Sequence, residues 1–255
     1  MIIGAQLYTL HEFTKTLDDF AETLKKVADI GYTSVQVSAT CGYTAEWLAD
    51  QLKQNGLTCQ LTHFNFNRIL NDTENVIKEH KHFGCDHIGI GSMPGWDEGY
   101  PAFVSNPLIR PAMDKIHEAG QIFMYHNHDW EYETLLDDGR SIMQHLADDF
   151  TPDQLGFTLD TYWVKFGGGN LNEEIDRLAG RLPVVHFKDM YIDEAGNRSM
   201  SWVGGGNVFN FEKLAEKFDS VGTKYAYVEQ DDCHGEDPFE CLRKSYNYLK
   251  SIGLN

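Results

Sequence analysis

Several side chains able to bind a metal or move a proton close short apolar runs in this sequence. His63 ends Thr58-Cys59-Gln60-Leu61-Thr62-His63, and His126-Asn127-His128 follows Gln121-Ile122-Phe123-Met124-Tyr125. Asp160 follows Gly156-Phe157-Thr158-Leu159, His186 follows Pro183-Val184-Val185, and Glu229 follows Tyr225-Ala226-Tyr227-Val228. Lys188 lies two residues past His186. Imidazoles and carboxylates are hard or borderline donors and no thiolate joins them, so the set suits Mn²⁺, Mg²⁺, Co²⁺ or Zn²⁺. A neutral imidazole, with an ordinary pKa of ~6.5, is also matched to proton transfer near neutral pH.

The elements that must position these residues repeat one unit: an amphipathic helix, a glycine, two or three residues, then an apolar strand. Leu17, Phe20, Ala21, Leu24, Val27 and Ala28 stripe one helix face, Thr16 with Asp19 caps its start, and Gly31 ends it. Gly56, Gly84, Gly120 and Gly222 repeat the punctuation. Eight strands are predicted, near residues 3–8, 34–38, 58–63, 86–91, 121–126, 156–160, 183–187 and 224–229. The last helix carries Phe239, Leu242, Tyr246 and Leu249. Parallel strands need crossovers, so strand–helix alternation predicts an α/β fold with a parallel sheet. Eight units in 255 residues predict a (β/α)8 TIM barrel, and without a linker the whole chain, 1–255, reads as a single domain. An open doubly wound sheet would usually begin with a glycine-rich strand-to-helix turn, and none follows strand one.

In such a barrel the C-terminal strand ends share one mouth. Each residue has an ordinary reading taken alone: His126 and His128 share one side of a strand, Asp160 suits a helix cap, His186 a satisfied core histidine, Glu229 a solvated edge. The coincidence points elsewhere. Strands five to eight all end in such a group directly after an apolar run, which is costly in a core and natural in a site. Trp96, Trp163 and Trp202 lie in the loops beyond the strands, and aromatic faces in a polar mouth suit the C–H faces of a sugar. The triplets Gly167-Gly168-Gly169 and Gly204-Gly205-Gly206 lack P-loop spacing. His80 and His82 read as residues of a surface helix.

Lys plus Arg is 21 against 39 Asp plus Glu, a net charge of −18, which argues against nucleic acid or an anionic membrane surface as partner. No apolar run approaches the ~20 residues of a membrane-spanning helix. The 5 cysteines are scattered with no C-x-x-C pair, as expected for reduced thiols. The first residues read as a strand and lack the features of a secretory signal, so a cytoplasmic location is expected. The sequence leaves the oligomeric state, including a homo-oligomer, open.

At these residues the chain resembles the sugar phosphate isomerase/epimerase group of xylose-isomerase-like barrels. The matching stretches are Tyr125-His126-Asn127-His128-Asp129-Trp130-Glu131, Leu159-Asp160-Thr161-Tyr162-Trp163-Val164, Arg181-Leu182-Pro183-Val184-Val185-His186-Phe187-Lys188-Asp189 and Val228-Glu229-Gln230-Asp231. The resemblance runs over essentially the whole chain. It implies a divalent metal, with Asp160, His186 and Glu229 at the ligand positions of strands six, seven and eight. The family's fourth ligand is usually a glutamate ending strand five. That place holds His126 here, so either His126 takes over or Glu131 reaches back; the family's preference for hard ions favours Glu131.

The implied activity is isomerisation or epimerisation of a sugar or keto-sugar by proton abstraction α to a carbonyl, through an ene-diolate. His126 or His128 would move the proton, Glu229 would serve as ligand and base, and Lys188 would bind substrate oxygens. His63, Trp163 and Trp202 would line the pocket. The family's ketose 3-epimerases use two opposed glutamates, and the missing strand-five glutamate breaks that symmetry. A histidine base instead suits isomerisation, or dehydratase or lyase action on a keto-sugar or inosose. Competing classes are a nuclease like endonuclease IV, which needs more ligands and a basic footprint, and a non-catalytic sugar-binding protein.

Overall fold

Strand and helix alternate until the sheet closes on itself in the computed structural model, which describes residues 1–255. The strands are β1 (Ile2–Gln6), β2 (Ser34–Val37), β3 (Thr58–His63), β4 (His87–Ile90), β5 (Ile122–His126), β6 (Leu155–Asp160) and β7 (Val184–Phe187), then β8 (Asp189–Ile192), β9 (Arg198–Ser201) and β10 (Tyr225–Val228). The closed order is β1-β10-β7-β6-β5-β4-β3-β2, all parallel, while β8 and β9 form a separate antiparallel hairpin. This is the expected (β/α)8 barrel, with β10 as its eighth stave.

The local signals act as read. Thr16 caps the helix Leu17–Ile30 by accepting from the Asp19 N–H, and Gly31 ends it at φ +122°, a backbone angle that a side chain resists. The chain departs from expectation in three places. The first strand stops at Gln6, because the Gln6 side chain accepts from the Tyr8 N–H and turns the chain into the 3₁₀ segment Leu7–Phe13. The long loop after strand seven contains the hairpin. His80, expected on a surface helix, is fully buried, with its ring nitrogens on Thr62 Oγ1 at 2.8 Å and on the Val76 carbonyl, also at 2.8 Å.

Two apolar regions hold the fold. A large core packs the outer faces of the strands against the helices. A second cluster, Leu61, Met124, Val184 and Tyr227, comes from β3, β5, β7 and β10. Such a layer of side chains plugs the inside of a barrel. β1 contributes only Gly4 there, and the Tyr227 ring lies where a Cβ on Gly4 would stand. Tyr227 Oη meets Ser34 Oγ at 2.7 Å, which satisfies the buried hydroxyl. Because strand side chains alternate with period 2, the next inward residue on each of these strands lies one layer higher. Those residues are His63, His126, His186 and Glu229. No helix of the chain is long and apolar enough to cross a membrane.

Candidate metal centre at the barrel mouth

β5, β6, β7 and β10 bring His126, Asp160, His186 and Glu229 together above the plug. Each offers one donor atom, and the four lie within 4.8 Å of one another, all buried. His186 Nδ1 is 2.9 Å from Glu229 Oε2 and 3.7 Å from Asp160 Oδ2. His126 Nε2 is 3.4 Å from Asp160 Oδ2 and 3.9 Å from Glu229 Oε2. Ligands about 2.0–2.2 Å from one ion stand roughly 3 Å apart, so the spacing is close to that of a coordination sphere.

Every donor is fixed from behind by a second contact. His186 Nε2 donates to Gln36 Oε1 at 2.6 Å, which turns Nδ1 toward the other donors. Nδ1 makes no hydrogen bond despite its burial. His126 Nδ1 donates to the Gly91 carbonyl at 3.0 Å, which turns Nε2 toward Asp160 Oδ2. Asp160 divides its carboxylate: Oδ1 accepts from the Trp163 N–H at 3.0 Å and caps the helix Thr161–Phe166, while Oδ2 faces the other donors. Glu229 Oε1 accepts from Gln6 Nε2 at 2.6 Å and Oε2 faces the centre. Partners of this kind set tautomer and orientation in metal sites. Two imidazole nitrogens and two carboxylate oxygens, with no thiolate, fit a divalent ion of the hard or borderline class.

The backbone near the centre is locked as well. Asn127 Oδ1 accepts from the Asp160 N–H at 2.9 Å, joining the end of β5 to β6. Thr161 Oγ1 donates to the Lys188 carbonyl at 2.7 Å and accepts from the Lys188 N–H at 3.0 Å, joining β6 to the end of β7. On β2 the register with β3 shifts between Val35 and Gln36. Such irregularities commonly re-aim side chains beside active sites, and Gln36 is the residue that reaches His186.

The charges are strongly coupled. Burial alone would raise Asp160 and Glu229, but Lys188 and the neighbouring histidines hold both carboxyls well below the usual range. Burial opposes charge on His186 too, yet Glu229 and Asp160 lift its pKa to about 9, so an ion binding at Nδ1 would displace a proton. Lys188 Nζ is 2.6 Å from Asp231 Oδ2, 3.4 Å from Glu229 Oε2 and 3.8 Å from Asp160 Oδ2, and lies over the Trp163 ring at 4.9 Å. Burial, with His126 and Lys188 near it, lowers His128 to about 3. Burial and the surrounding histidines lower His63 well below its ordinary value. Both rings are therefore neutral at pH 7.

A cavity of about 370 Å³ opens over these groups. His63, His126, His128, Lys188 and Glu229 line it, together with Tyr8, Phe64 and Trp96. His63 Nε2 and His128 Nδ1 have no partner within the protein. Trp163 packs on His128, with ring centroids 5.5 Å apart, and backs the wall. Trp202 does not line the cavity; its ring packs on Gly205, and Lys244 lies 5.9 Å from its centre. Glu131 also stands apart from the four donors. Its Oε1 accepts from Tyr125 Oη at 2.6 Å and its Oε2 from the His128 N–H at 2.7 Å, and burial pushes its pKa up to about 8. Strand β5 thus presents His126, not Glu131, to the centre, because both Glu131 oxygens hold the turn that follows the strand. The supports Gln6, Gln36 and Asp231 were not singled out from sequence. A glutamine at an inward strand position, two residues from Gly4 or Ser34, was the available signal.

The family model described as xylose isomerase-like TIM barrel matches residues 24–252. No curated protein matches the chain. Among solved structures, a sugar phosphate isomerase/epimerase from Parabacteroides distasonis superposes with a TM-score of 0.79 at 22% identity, over 98% of this chain and 94% of that one. L-ribulose 3-epimerase gives 0.70 at 13% identity, over 99% and 94%. The IOLI protein with a bound zinc atom gives 0.70 at 11% identity, over 99% and 98%. At these identities the three establish a shared fold.

Proposed function

This chain belongs to the xylose isomerase-like TIM barrel family, and from that premise we propose that it is a divalent-metal-dependent isomerase or epimerase of a sugar or keto-sugar. His126 Nε2, Asp160 Oδ2, His186 Nδ1 and Glu229 Oε2 would hold the ion. Its chemistry there is that of a Lewis acid, polarising a carbonyl and its neighbouring hydroxyl, an effect worth several kcal/mol in such reactions. The observation that carries the reading is the set of second contacts, which turns four donors toward one point beneath a cavity.

The remaining groups divide the work. His128, which lines the cavity, takes the proton from the carbon α to the carbonyl. Returned to the neighbouring carbon, that proton completes isomerisation, whereas epimerisation needs a proton delivered to the opposite face of the same carbon by a second group. Lys188 is a fixed cation at the centre that stabilises negative charge developing on the substrate oxygens. His63, in the cavity wall, binds a hydroxyl, and the rings of Trp96 and Tyr8 exclude water and pack on C–H faces. The five free thiols suit a reducing cytoplasm.

The test is chelation. Protein stripped of metal is assayed for keto–aldo interconversion and epimerisation on a panel of aldoses, ketoses and keto-sugars, then reloaded with Mn²⁺, Co²⁺, Mg²⁺ or Zn²⁺. Turnover that disappears on stripping and returns on reloading is expected. Undiminished turnover by verified metal-free protein overturns the proposal.

A further inference from the structure

Resting on the reading above, we infer that the substrate is an uncharged polyhydroxy carbonyl compound and not its phosphate ester. The mouth has no free positive charge with which to hold a phosphate. Lys188 is the one Lys or Arg lining the cavity, and it is already committed to Asp231, with Glu229 and Asp160 close behind. Three carboxylates surround this single ammonium. A divalent ion would bring the group to neutrality, leaving nothing to offset the roughly −1.5 to −2 charge of a phosphate monoester. The overall charge of −18 adds repulsion.

The two glycine triplets offer no substitute. In barrels of this class, phosphates are frequently held by N–H groups of the late strand–helix loops. The glycine-rich loop after β9 has such groups, but the chain's own carboxylate occupies them. Asp189 Oδ2 accepts from the Gly204 N–H at 2.9 Å and from the Gly206 N–H at 3.0 Å, and Asp189 is buried. The other triplet is spent on packing, since Cβ atoms at Gly167 and Gly169 would strike the Asp129 backbone and the Tyr132 ring. A separate cleft holds Lys165 and Lys213, but it shares no lining residue with the mouth. The mouth instead supplies neutral hydrogen-bonding groups, Ser38, His63, Ser92 and His128, beside aromatic rings. That mixture recognises hydroxyls and C–H faces.

The experiment uses the Mn²⁺-loaded full chain and matched pairs of ketopentoses and ketohexoses with their terminal phosphate esters. The readout is incorporation of solvent deuterium at the carbon α to the carbonyl, followed by NMR, which registers enolisation whichever product forms. The free sugar is expected to exchange with at least tenfold higher kcat/KM than its ester. Equal or faster exchange of the esters overturns the inference while leaving the enolisation reading intact. Exchange of neither member of any pair overturns that reading and the inference with it. A second variant probes the cause: Asp231→Asn releases Lys188, and the preference for the free sugar should fall at least threefold. An unchanged preference in a folded Asp231→Asn protein overturns the electrostatic account.

Discussion

Gln36 Oε1 accepts a hydrogen bond from His186 Nε2 at 2.6 Å, across the interior of the barrel from β2 to β7. An amide oxygen cannot donate, so this one contact fixes a proton on Nε2 and turns Nδ1 toward Asp160 and Glu229. Gln36→Leu keeps approximate size and removes the acceptor. Metal affinity should fall by about 10- to 100-fold, as for other supporting residues of metal sites. Competition with a chromophoric chelator measures it, and unchanged affinity would show that the tautomer is set elsewhere.

Asp160 does two jobs with two oxygens, and the jobs can be separated. Asp160→Asn retains an oxygen able to cap the Trp163 N–H but removes the negative charge. It should lose bound metal and nearly all turnover while melting close to the parent. Asp160→Ala loses both functions, and the missing cap should cost a further ~1 kcal/mol. Metal analysis beside thermal melts reads the two effects; metal retained by either variant contradicts the ligand assignment.

Glu131→Gln should keep a full complement of metal, because both carboxylate oxygens serve Tyr125 and the His128 backbone. Activity should drop through misplacement of His128, and stability should fall by roughly 1–3 kcal/mol for the weakened buried contacts. Metal stoichiometry decides the point, since loss of the ion would return Glu131 to the ligand set.

His80 should make the protein acid-sensitive. Burial lowers its pKa from 6.5 to about 4 in the folded state. The unfolded chain therefore takes up the proton first, so the stability from neutral burial is complete above pH 6.5 and is lost as the pH falls toward 4. The contribution lost by pH 5 is about 2 kcal/mol, from the linkage between pKa and folding. Urea unfolding at pH 7.5 and pH 5 should show this difference reduced in His80→Gln, which can still bond Thr62. An equal pH dependence in the variant would assign the acid sensitivity to other groups.

The barrel was legible in sequence because its strands announce themselves by apolar runs after glycine, and closure follows from their number. The convergence of Asp160, His186 and Glu229 followed from the same periodicity. The assignment of β5 to Glu131 rested on a preference for carboxylates, whereas the deciding fact was where the turn after His126 directs that side chain. His80 and Trp202 were misplaced because local pattern does not reveal which loop or helix face a neighbour covers. Gln6 and Gln36 show in the sequence as inward-facing polar residues, but their partners, Glu229 and His186, are set by the opposite wall of the barrel. The hairpin of β8 and β9 was hidden in a loop of mixed polarity.

The plug of Leu61, Met124, Val184 and Tyr227 turns the barrel into a blind well. On the proposed function, reactant, product and ion would share one doorway, so each departing molecule would have to clear the entrance before its successor arrives, and accumulated product should compete directly with incoming substrate.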